Sequence, residues 1–250
     1  ELLNWAERLN SKGLLDDLEI LILQCGYGSY LKQLRSGIAM SQDEFARPND
    51  LGIADASELN TPAIDELICL GDTISVRQNI AMILSERLGT RSFGNLSLDD
   101  THTIIRDQFS RFSDERVAPE AQAWHIADDL IPIEIIEEMS GLGVFGLTLP
   151  EEDGGLGLDK TAMCIVTEEL SRGYIGVGSL STRSEIAAEL IRFNGTNEQK
   201  EKYLASIASG SILPTAVFTE PNHGSDLAHI RTRAEYIKNN YKITGNKIWI

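Results

Sequence analysis

The sequence predicts a mostly α-helical protein in which two helical regions lead into the beginning of a β domain. Up to about residue 212, apolar residues recur at helical spacing between Gly, Pro, Asn and Asp residues that start and stop helices. After Leu213 the apolar period shortens to that of strands. Because the helices precede the strands without alternating with them, the domains are expected in an α-then-β order.

Composition and charge limit the function classes. The chain has 250 residues and a formal net charge of −16. Nucleic acids and anionic membrane surfaces both attract basic proteins, so the acidic charge of this chain argues against both as partners. No apolar run reaches the roughly 18 residues of a membrane span, and the start lacks the basic-then-apolar pattern of a signal peptide. We therefore expect a cytoplasmic protein with no nucleic-acid and no membrane partner.

The cysteine and histidine positions predict no metal site. Cys25, Cys69 and Cys164 lie far apart, and none has metal-ligand spacing with the four histidines. We expect all three to be buried, reduced thiols.

Residues 1–100 are predicted to form a helical amino-terminal extension. One helix is predicted from Leu14 to Gly37, and another is expected to open at Thr61-Pro62, a pair typical of helix starts. A third is predicted from Ile74 to Gly89. The region has no catalytic pattern, which is typical of a packing or oligomerisation module.

Residues 101–212 are predicted to form a second helical domain with clearer helix ends. Asp99 or Asp100 is expected to cap its first helix, and Pro132 to lie early in a helix that stops at Gly141. The other predicted caps and glycine stops are Asp159, Asn197, Gly173, Gly195 and Gly210.

Residues 213–250 are predicted to be the beginning of a β domain. Asn239-Asn240 is expected to form a tight hairpin turn, because Asn tolerates positive φ. The chain starts at Glu1 and stops within the last predicted strand, so we expect that more chain follows in nature. The predicted strands are Leu213 to Thr219, Arg231 to Lys238, Tyr241 to Thr244 and Lys247 to Ile250.

The segment from Gly141 to Gly146 matches the GxGxxG pattern of dinucleotide-binding folds, but its context does not. That pattern needs a preceding strand and a following helix. Here a predicted helix precedes it, and a loop with Pro and Gly follows. We interpret the segment as a helix stop and turn.

The segment from Thr219 to Asp226, TEPNHGSD, lies between two predicted strands. Its backbone N–H groups and the Ser225 hydroxyl can hold an anionic oxygen. An ordinary capped turn has the same composition. The residues alone leave both interpretations open.

Several ordered segments resemble the acyl-CoA dehydrogenase family. They are LPEEDGGLG at 149–157, EELSR at 168–172, QKEKYL at 199–204, FTEP at 218–221 with GSD at 224–226, and GNKIWI at 245–250. The residues at 101–144 fit the family more loosely. The resemblance implies the family's helical amino-terminal domain, preceded by the extension and followed by the start of a β-barrel-like middle domain.

The resemblance implies an FAD site in the β domain. Thr219 matches a threonine that contacts the flavin ring, and Trp249 matches a tryptophan packed beside it. Gly224 and Ser225 match positions near the pyrophosphate and the bound thioester ligand, where a small residue and a hydroxyl donor suit close approach. The predicted cofactor-binding residues are Ala216, Phe218, Thr219, Gly224, Ser225 and Trp249, of which Ser225 is also predicted to bind the substrate.

Within the family, residues 168–180, 182–191 and 212–218 look most like members with a long amino-terminal extension whose acyl-CoA substrate carries a free carboxylate. Arg183 lies on the helix that, by this resemblance, lines the acyl pocket. A guanidinium can hold a carboxylate through a bidentate pair. A surface ion pair, for instance with Glu189 or with a neighbour in the chain, is the alternative for Arg183.

By the same resemblance, the reaction is α,β-dehydrogenation of an acyl-CoA, with electrons passed to an electron-transfer flavoprotein. A carboxylate removes the α proton while a hydride leaves the β carbon. The family's base is a glutamate from later in the chain, so we expect no catalytic residue up to Ile250 and no activity from the 250-residue chain alone. The family also implies a homodimer or a homotetramer.

Two alternatives stay open. An acyl-CoA oxidase, or a dehydrogenase of another branched or short-chain acyl-CoA, would share these motifs. A non-catalytic helical binding or assembly protein would keep the fold without flavin, although the presence of both Thr219 and Trp249 argues against it.

Overall fold

The computed structural model describes residues 2–71, 73–90 and 93–249. The chain divides into two compact units, Glu1–Leu98 and Asp99–Ile250. Both are mainly helical within the described residues, as the sequence predicts. The described strands form two antiparallel pairs, which are β1 (Ile38–Ala39) with β2 (Phe45–Ala46) and β3 (Arg233–Ile237) with β4 (Asn240–Thr244).

The helices of the first unit pack around its longest helix. α3 and α4 both contact α2. Gly71, at the end of α3, permits a close approach, because a Cβ there would collide with the backbone carbonyl of Gln24. The helices described in this unit are α1 (Leu2–Ser11), α2 (Asp17–Ser36), α3 (Pro62–Gly71) and α4 (Ile74–Glu86).

Helix starts in the first unit follow local capping. The prediction of a helix from Leu14 is wrong at its start, because the Asp16 carboxylate accepts the N–H of Leu18 at 2.9 Å and so fixes the first turn of α2. The predicted start at Thr61-Pro62 is confirmed. α4 ends at Glu86, three residues before the predicted stop at Gly89.

The second unit contains six further described helices and a π-helical turn, Ser113–Val117, which joins α5 to α6. α8 packs against α5 and α9, and α10 packs against α9. The helices are α5 (Asp100–Phe112), α6 (Ala118–Ala127), α7 (Ile133–Gly141), α8 (Lys160–Gly173), α9 (Ile175–Asn194) and α10 (Asn197–Ala208).

Helix caps in the second unit agree with the sequence signals except at α10. The side chains of Asp99 and Asp159 cap α5 and α8, as predicted. The predicted cap Asn197 is wrong, because Thr196 caps α10 and forms a reciprocal capping box with Gln199.

One apolar core holds the second unit together. α5, α7 and α8 contribute most of its side chains, and a smaller cluster lies between α9 and α10. Arg172 of the EELSR segment pairs with Asp114 on the π-helical turn at 2.7 Å and with Glu169 of its own segment at 2.9 Å. The buried residues of the main core are Phe109, Phe112, Val117, Ile135, Met139, Val144, Phe145, Leu147, Val166, Leu170 and Val177.

The β region is less regular than the sequence predicts. Residues 213–219 and 247–249 are not strands, and Ile250 lies outside the described residues. The hairpin β3–β4 is present, but its turn residues with positive φ are Lys238 and Asn239 rather than Asn239 and Asn240. A strand needs a neighbouring strand to form a hydrogen-bond ladder. The two irregular segments have few backbone hydrogen-bond partners within the described chain.

The cysteine prediction is wrong in one respect. All three thiols are free, but Cys69 and Cys164 are exposed and Cys25 is half-buried. Within the described residues, no single helix is both long and apolar enough to cross a membrane. The bent pair of helices α3 and α4, counted together, is long and apolar enough to meet the same criterion by length and composition only.

His102 links the first turns of two helices in the second unit. Its Nδ1 lies 2.8 Å from Asp99 Oδ1, and its Nε2 lies 2.9 Å from Asp159 Oδ1. The carboxylates of Asp159 and Asp99 raise the pKa of His102 above its ordinary value. An imidazolium can donate to both carboxylates at once, whereas a neutral ring can donate to only one.

Replacing His102 by glutamine is expected to reduce stability more at pH 6 than at pH 9. A raised folded-state pKa gives a stabilising contribution that is full below the unfolded pKa and is lost as the pH rises through the folded pKa. We expect the loss in free energy of unfolding to be about 1 kcal/mol larger at pH 6 than at pH 9. The figure is small because both carboxylates are more than half exposed, and solvent weakens exposed ion pairs. Urea unfolding of both proteins at the two pH values measures it, and an equal loss at both would contradict the bridge.

Candidate functional site

Two irregular segments of the β region lie side by side and bring Thr219 close to Trp249 along the backbone. The N–H of Ile248 donates to the Thr219 carbonyl at 3.1 Å. The Lys247 ammonium donates to the Phe218 carbonyl at 2.8 Å. The structure therefore joins the two motifs that the sequence separates by nearly thirty residues.

The predicted flavin-contacting side chains lie on an accessible face. Trp249 is 89% exposed and Phe218 is 43% exposed, while Thr219 and Ala216 are half-buried. Among the described residues, neither the amide nor the hydroxyl of Thr219 has a hydrogen-bond partner in the protein. A donor pair beside exposed aromatic rings suits a flat, polar-edged ligand.

Gly224 and Ser225 lie in an exposed loop that follows Thr219. A Cβ added at Gly224 would meet no atom within 4 Å, so nothing within the described protein requires glycine there. The Ser225 side chain is exposed. Both residues are accessible to a ligand, and their assignment to the pyrophosphate and thioester region stays a prediction.

A cleft of about 280 Å³ lies between this loop and the β3–β4 hairpin. The basic residues along it are Arg231 and Arg233. Their charge is complementary to a phosphate group, which Arg binds well. The other lining residues are Glu220, Pro221, Asn222, His223, Thr244, Gly245 and Asn246.

Glu220 is a buried acid that the sequence analysis did not single out. It is 5% exposed, and its carboxylate accepts hydrogen bonds from the Arg231 and Thr232 amides and from Lys247. Hydrogen bonds from Thr232 and Arg231 lower the pKa of Glu220 to about 2. The sequence signal that could have identified Glu220 is its position, directly after Thr219 at the end of a predicted strand.

Arg183 is exposed on α9 and lies apart from the Thr219 segment in the described contacts. Its Nη1 donates to the Ser179 carbonyl one turn earlier at 3.1 Å. The described residues show no ion pair between Arg183 and Glu189, and Glu189 pairs with Lys160 at 2.7 Å instead. Lys160 also pairs with Glu185. The guanidinium of Arg183 has no carboxylate partner among the described residues.

The GxGxxG segment follows a helix, as its context predicts, and not the strand that a dinucleotide site needs. α7 precedes it, Gly143 has φ of 74°, and a 3₁₀ turn at Val144–Gly146 follows. Val144 and Phe145 are buried in the core. The interpretation as a helix stop and turn is confirmed.

Residues 99–211 match the model of the acyl-CoA dehydrogenase N-terminal domain. Residues 99–211 therefore belong to the acyl-CoA dehydrogenase family as its N-terminal domain. The chain is 54% identical, over 98% of its length, to (2S)-methylsuccinyl-CoA dehydrogenase of Cereibacter sphaeroides. It covers 44% of that relative, so it spans less than half the length of this curated protein.

Solved structures of the family agree with the fold. Glutaryl-CoA dehydrogenase from Mycobacterium smegmatis matches with a TM-score of 0.56 and 32% identity, over 61% of this chain and 39% of that chain. An acyl-CoA dehydrogenase from Bacillus anthracis, complexed with FAD, matches with a TM-score of 0.53 and 31% identity, over 61% of this chain and 26% of that chain. The predicted fold class, with its acyl-CoA dehydrogenase N-terminal domain, is thereby confirmed.

Proposed function

We propose that this chain is the amino-terminal part of an FAD-dependent enzyme that oxidises methylsuccinyl-CoA to mesaconyl-CoA. The observation that carries the proposal is the 54% identity to (2S)-methylsuccinyl-CoA dehydrogenase over 98% of the chain, which includes the helical unit before Asp99. The two solved relatives match only about three fifths of the chain.

The residues present suit FAD. The amide and hydroxyl of Thr219, which have no partner among the described residues, supply two donors. The exposed rings of Phe218 and Trp249 supply an apolar face beside them. One of the solved relatives is complexed with FAD. We propose Ala216, Phe218, Thr219 and Trp249 for the flavin ring, and Gly224 and Ser225 for the phosphate and thioester region.

When bound, FAD supplies the acceptor for the hydride that leaves the β carbon of the substrate. In this scheme Thr219 donates a hydrogen bond to the ring, which favours the more electron-rich state. Trp249 covers the ring and excludes water. Ser225 donates to the bound ligand. We place the base that removes the α proton outside these 250 residues, so the chain alone is expected to be inactive.

The wider setting follows from the same proposal. Electrons would pass to an electron-transfer flavoprotein, and the enzyme would act as a cytoplasmic homodimer or homotetramer in the ethylmalonyl-CoA pathway. Size-exclusion chromatography with light scattering tests the oligomeric state. Reduction of a purified electron-transfer flavoprotein by the enzyme and its substrate tests the electron partner.

Anaerobic titration with methylsuccinyl-CoA tests the central proposal. The protein with its natural carboxy-terminal sequence is used, and the absorbance band of oxidised flavin is followed. Bleaching supports cofactor, reaction class and substrate together. Bleaching only by other acyl-CoAs would contradict the substrate, fast reoxidation by oxygen would favour an oxidase, and the absence of a flavin band after addition of FAD would favour a binding protein.

Replacing Arg183 by leucine is expected to raise the KM for methylsuccinyl-CoA by about 10- to 100-fold. The guanidinium is exposed and has no carboxylate partner among the described residues, so it is available to the free carboxylate of the substrate. A hydrogen bond to a charged group contributes about 1.5–3 kcal/mol, which corresponds to this change.

Two controls sharpen the Arg183 experiment. Butyryl-CoA lacks the carboxylate, so its KM should not respond to the substitution. Arg192→Leu, on the same helix but paired with Asp153 at 3.6 Å, should leave both KM values unchanged. An unaltered KM for methylsuccinyl-CoA in Arg183→Leu would remove Arg183 from the substrate site.

A further inference from the structure

The loop 221–230, which carries Gly224 and Ser225, is closed at its base by one buried carboxylate. Glu220 precedes the loop, and its two oxygens accept the amides that follow it. The Arg231 N–H donates to Oε2 at 2.7 Å, and the Thr232 N–H donates to Oε1 at 2.8 Å. A single side chain therefore holds the two ends of the loop together.

The same carboxylate is tied to the segment that carries Trp249. The Lys247 ammonium donates to Glu220 Oε1 at 3.1 Å and to the Phe218 carbonyl at 2.8 Å. Lys247 is 19% exposed and Glu220 5% exposed, so water competes little for either group. Glu220 and Lys247 together form the Glu220–Lys247 clamp.

The clamp fixes the backbone on both sides of Thr219 and leaves Thr219 free to donate. Lys247 holds the Phe218 carbonyl, and the Ile248 N–H holds the Thr219 carbonyl. The Glu220 amide and carbonyl are used in the reciprocal pair with His223, at 2.9 and 3.1 Å. The amide and hydroxyl of Thr219 have no protein partner among the described residues.

We propose that Glu220 is a positioning residue that, together with Lys247, holds Thr219 and the Ser225 loop in the geometry that binds flavin and acyl-CoA. The proposal rests on the proposed function, because it assigns the ligands by that function. Glu220 lines the cleft, but its carboxylate oxygens accept hydrogen bonds from Arg231, Thr232 and Lys247, so we assign it no contact with the ligands. Glu220 acts on the ligand-binding residues by holding the backbone of its neighbours in place. Buried hydrogen bonds support binding residues in the same way at other sites.

The chemistry of the carboxylate explains why other side chains cannot replace it. The ionised group is acceptor-only and serves three donors. A glutamine places an NH₂ group where one oxygen accepted an N–H or the ammonium, so at least one donor is left facing another donor. An aspartate is one methylene shorter and does not span the same distance.

The test compares Glu220→Gln, Lys247→Met and the double variant in the protein with its natural carboxy-terminal sequence. We expect each single variant to weaken FAD binding and to raise the KM for methylsuccinyl-CoA at least tenfold. The double variant should resemble a single one, because residues of one network are not additive. Glu201→Gln, an exposed acid on α10, is the matched control and should change nothing.

A second measurement does not depend on activity. Hydrogen exchange at the Arg231 and Thr232 amides should be slow in the unsubstituted protein and at least tenfold faster in Glu220→Gln. This readout follows the loop base directly and is unaffected by the later steps of the reaction.

The outcomes separate the two proposals. Variants of an active protein with unchanged KM and unchanged FAD affinity, or with a lowered thermal midpoint alone, would overturn the positioning role and leave the proposed function intact. An unsubstituted protein that binds no FAD and oxidises no acyl-CoA would overturn the proposed function, and the positioning of those ligands with it.

Discussion

Replacing Leu170 by alanine is expected to lower the free energy of unfolding by about 2–5 kcal/mol. Leu170 is fully buried on α8, in the core formed with α5 and α7. Removing its branched end loses the transfer energy of the buried atoms and leaves a cavity that a close-packed core fills only in part. Urea unfolding followed by circular dichroism measures the change.

A matched control makes the same chemical change on the surface. Leu190 lies on the neighbouring helix α9 and is 56% exposed, so Leu190→Ala should alter stability by no more than about 0.5 kcal/mol. The edge-on pair of Trp124 and Tyr174, with centroids 6.1 Å apart, packs against the same core, so Trp fluorescence reports its loss. Equal effects of the two substitutions would contradict the assignment of this core.

Replacing Thr219 by alanine is expected to slow flavin reduction by about 10- to 100-fold in the protein with its natural carboxy-terminal sequence. The hydroxyl has no protein partner among the described residues, and under the proposed function it donates to the ring as negative charge develops there. A hydrogen bond to a charged group contributes about 1.5–3 kcal/mol, which sets this range. Anaerobic stopped-flow absorbance measures the rate.

The conservative variant separates the hydroxyl from the shape of the side chain. Thr219→Ser keeps the donor and should reduce flavin nearly as fast as the unsubstituted protein. Thr219→Val keeps the branched shape without the donor and should be as slow as alanine. A fast valine variant would show that the hydroxyl has no role in the reduction step.

Local signals allowed the sequence to predict most of the helical structure. Asp159 and Asp99 cap their helices because a side-chain oxygen reaches amides only two or three residues away. The error at Asn197 has the same local origin, since Thr196 with Gln199 forms the stronger reciprocal cap one residue earlier. The error at Leu14 arose because periodicity continues before the cap at Asp16.

The β region was predicted less well because a strand depends on its partner. The hairpin β3–β4 forms because both of its strands are present and adjacent in sequence. The predicted strand from Leu213 to Thr219 has no such neighbour in the part of the chain that the structure describes, and it is irregular. The predicted strand from Lys247 bonds it at single points only, through Lys247 and Ile248.

The sequence by itself determined the helical class, most helix ends and the family, because each depends on residues close together or on motifs in a fixed order. Tertiary structure decided which charges meet. It pairs Glu189 with Lys160 rather than with Arg183, and it joins Glu220 to Lys247 across 27 positions. Such pairings depend on how the chain returns on itself, and no local spacing in the sequence encodes that return.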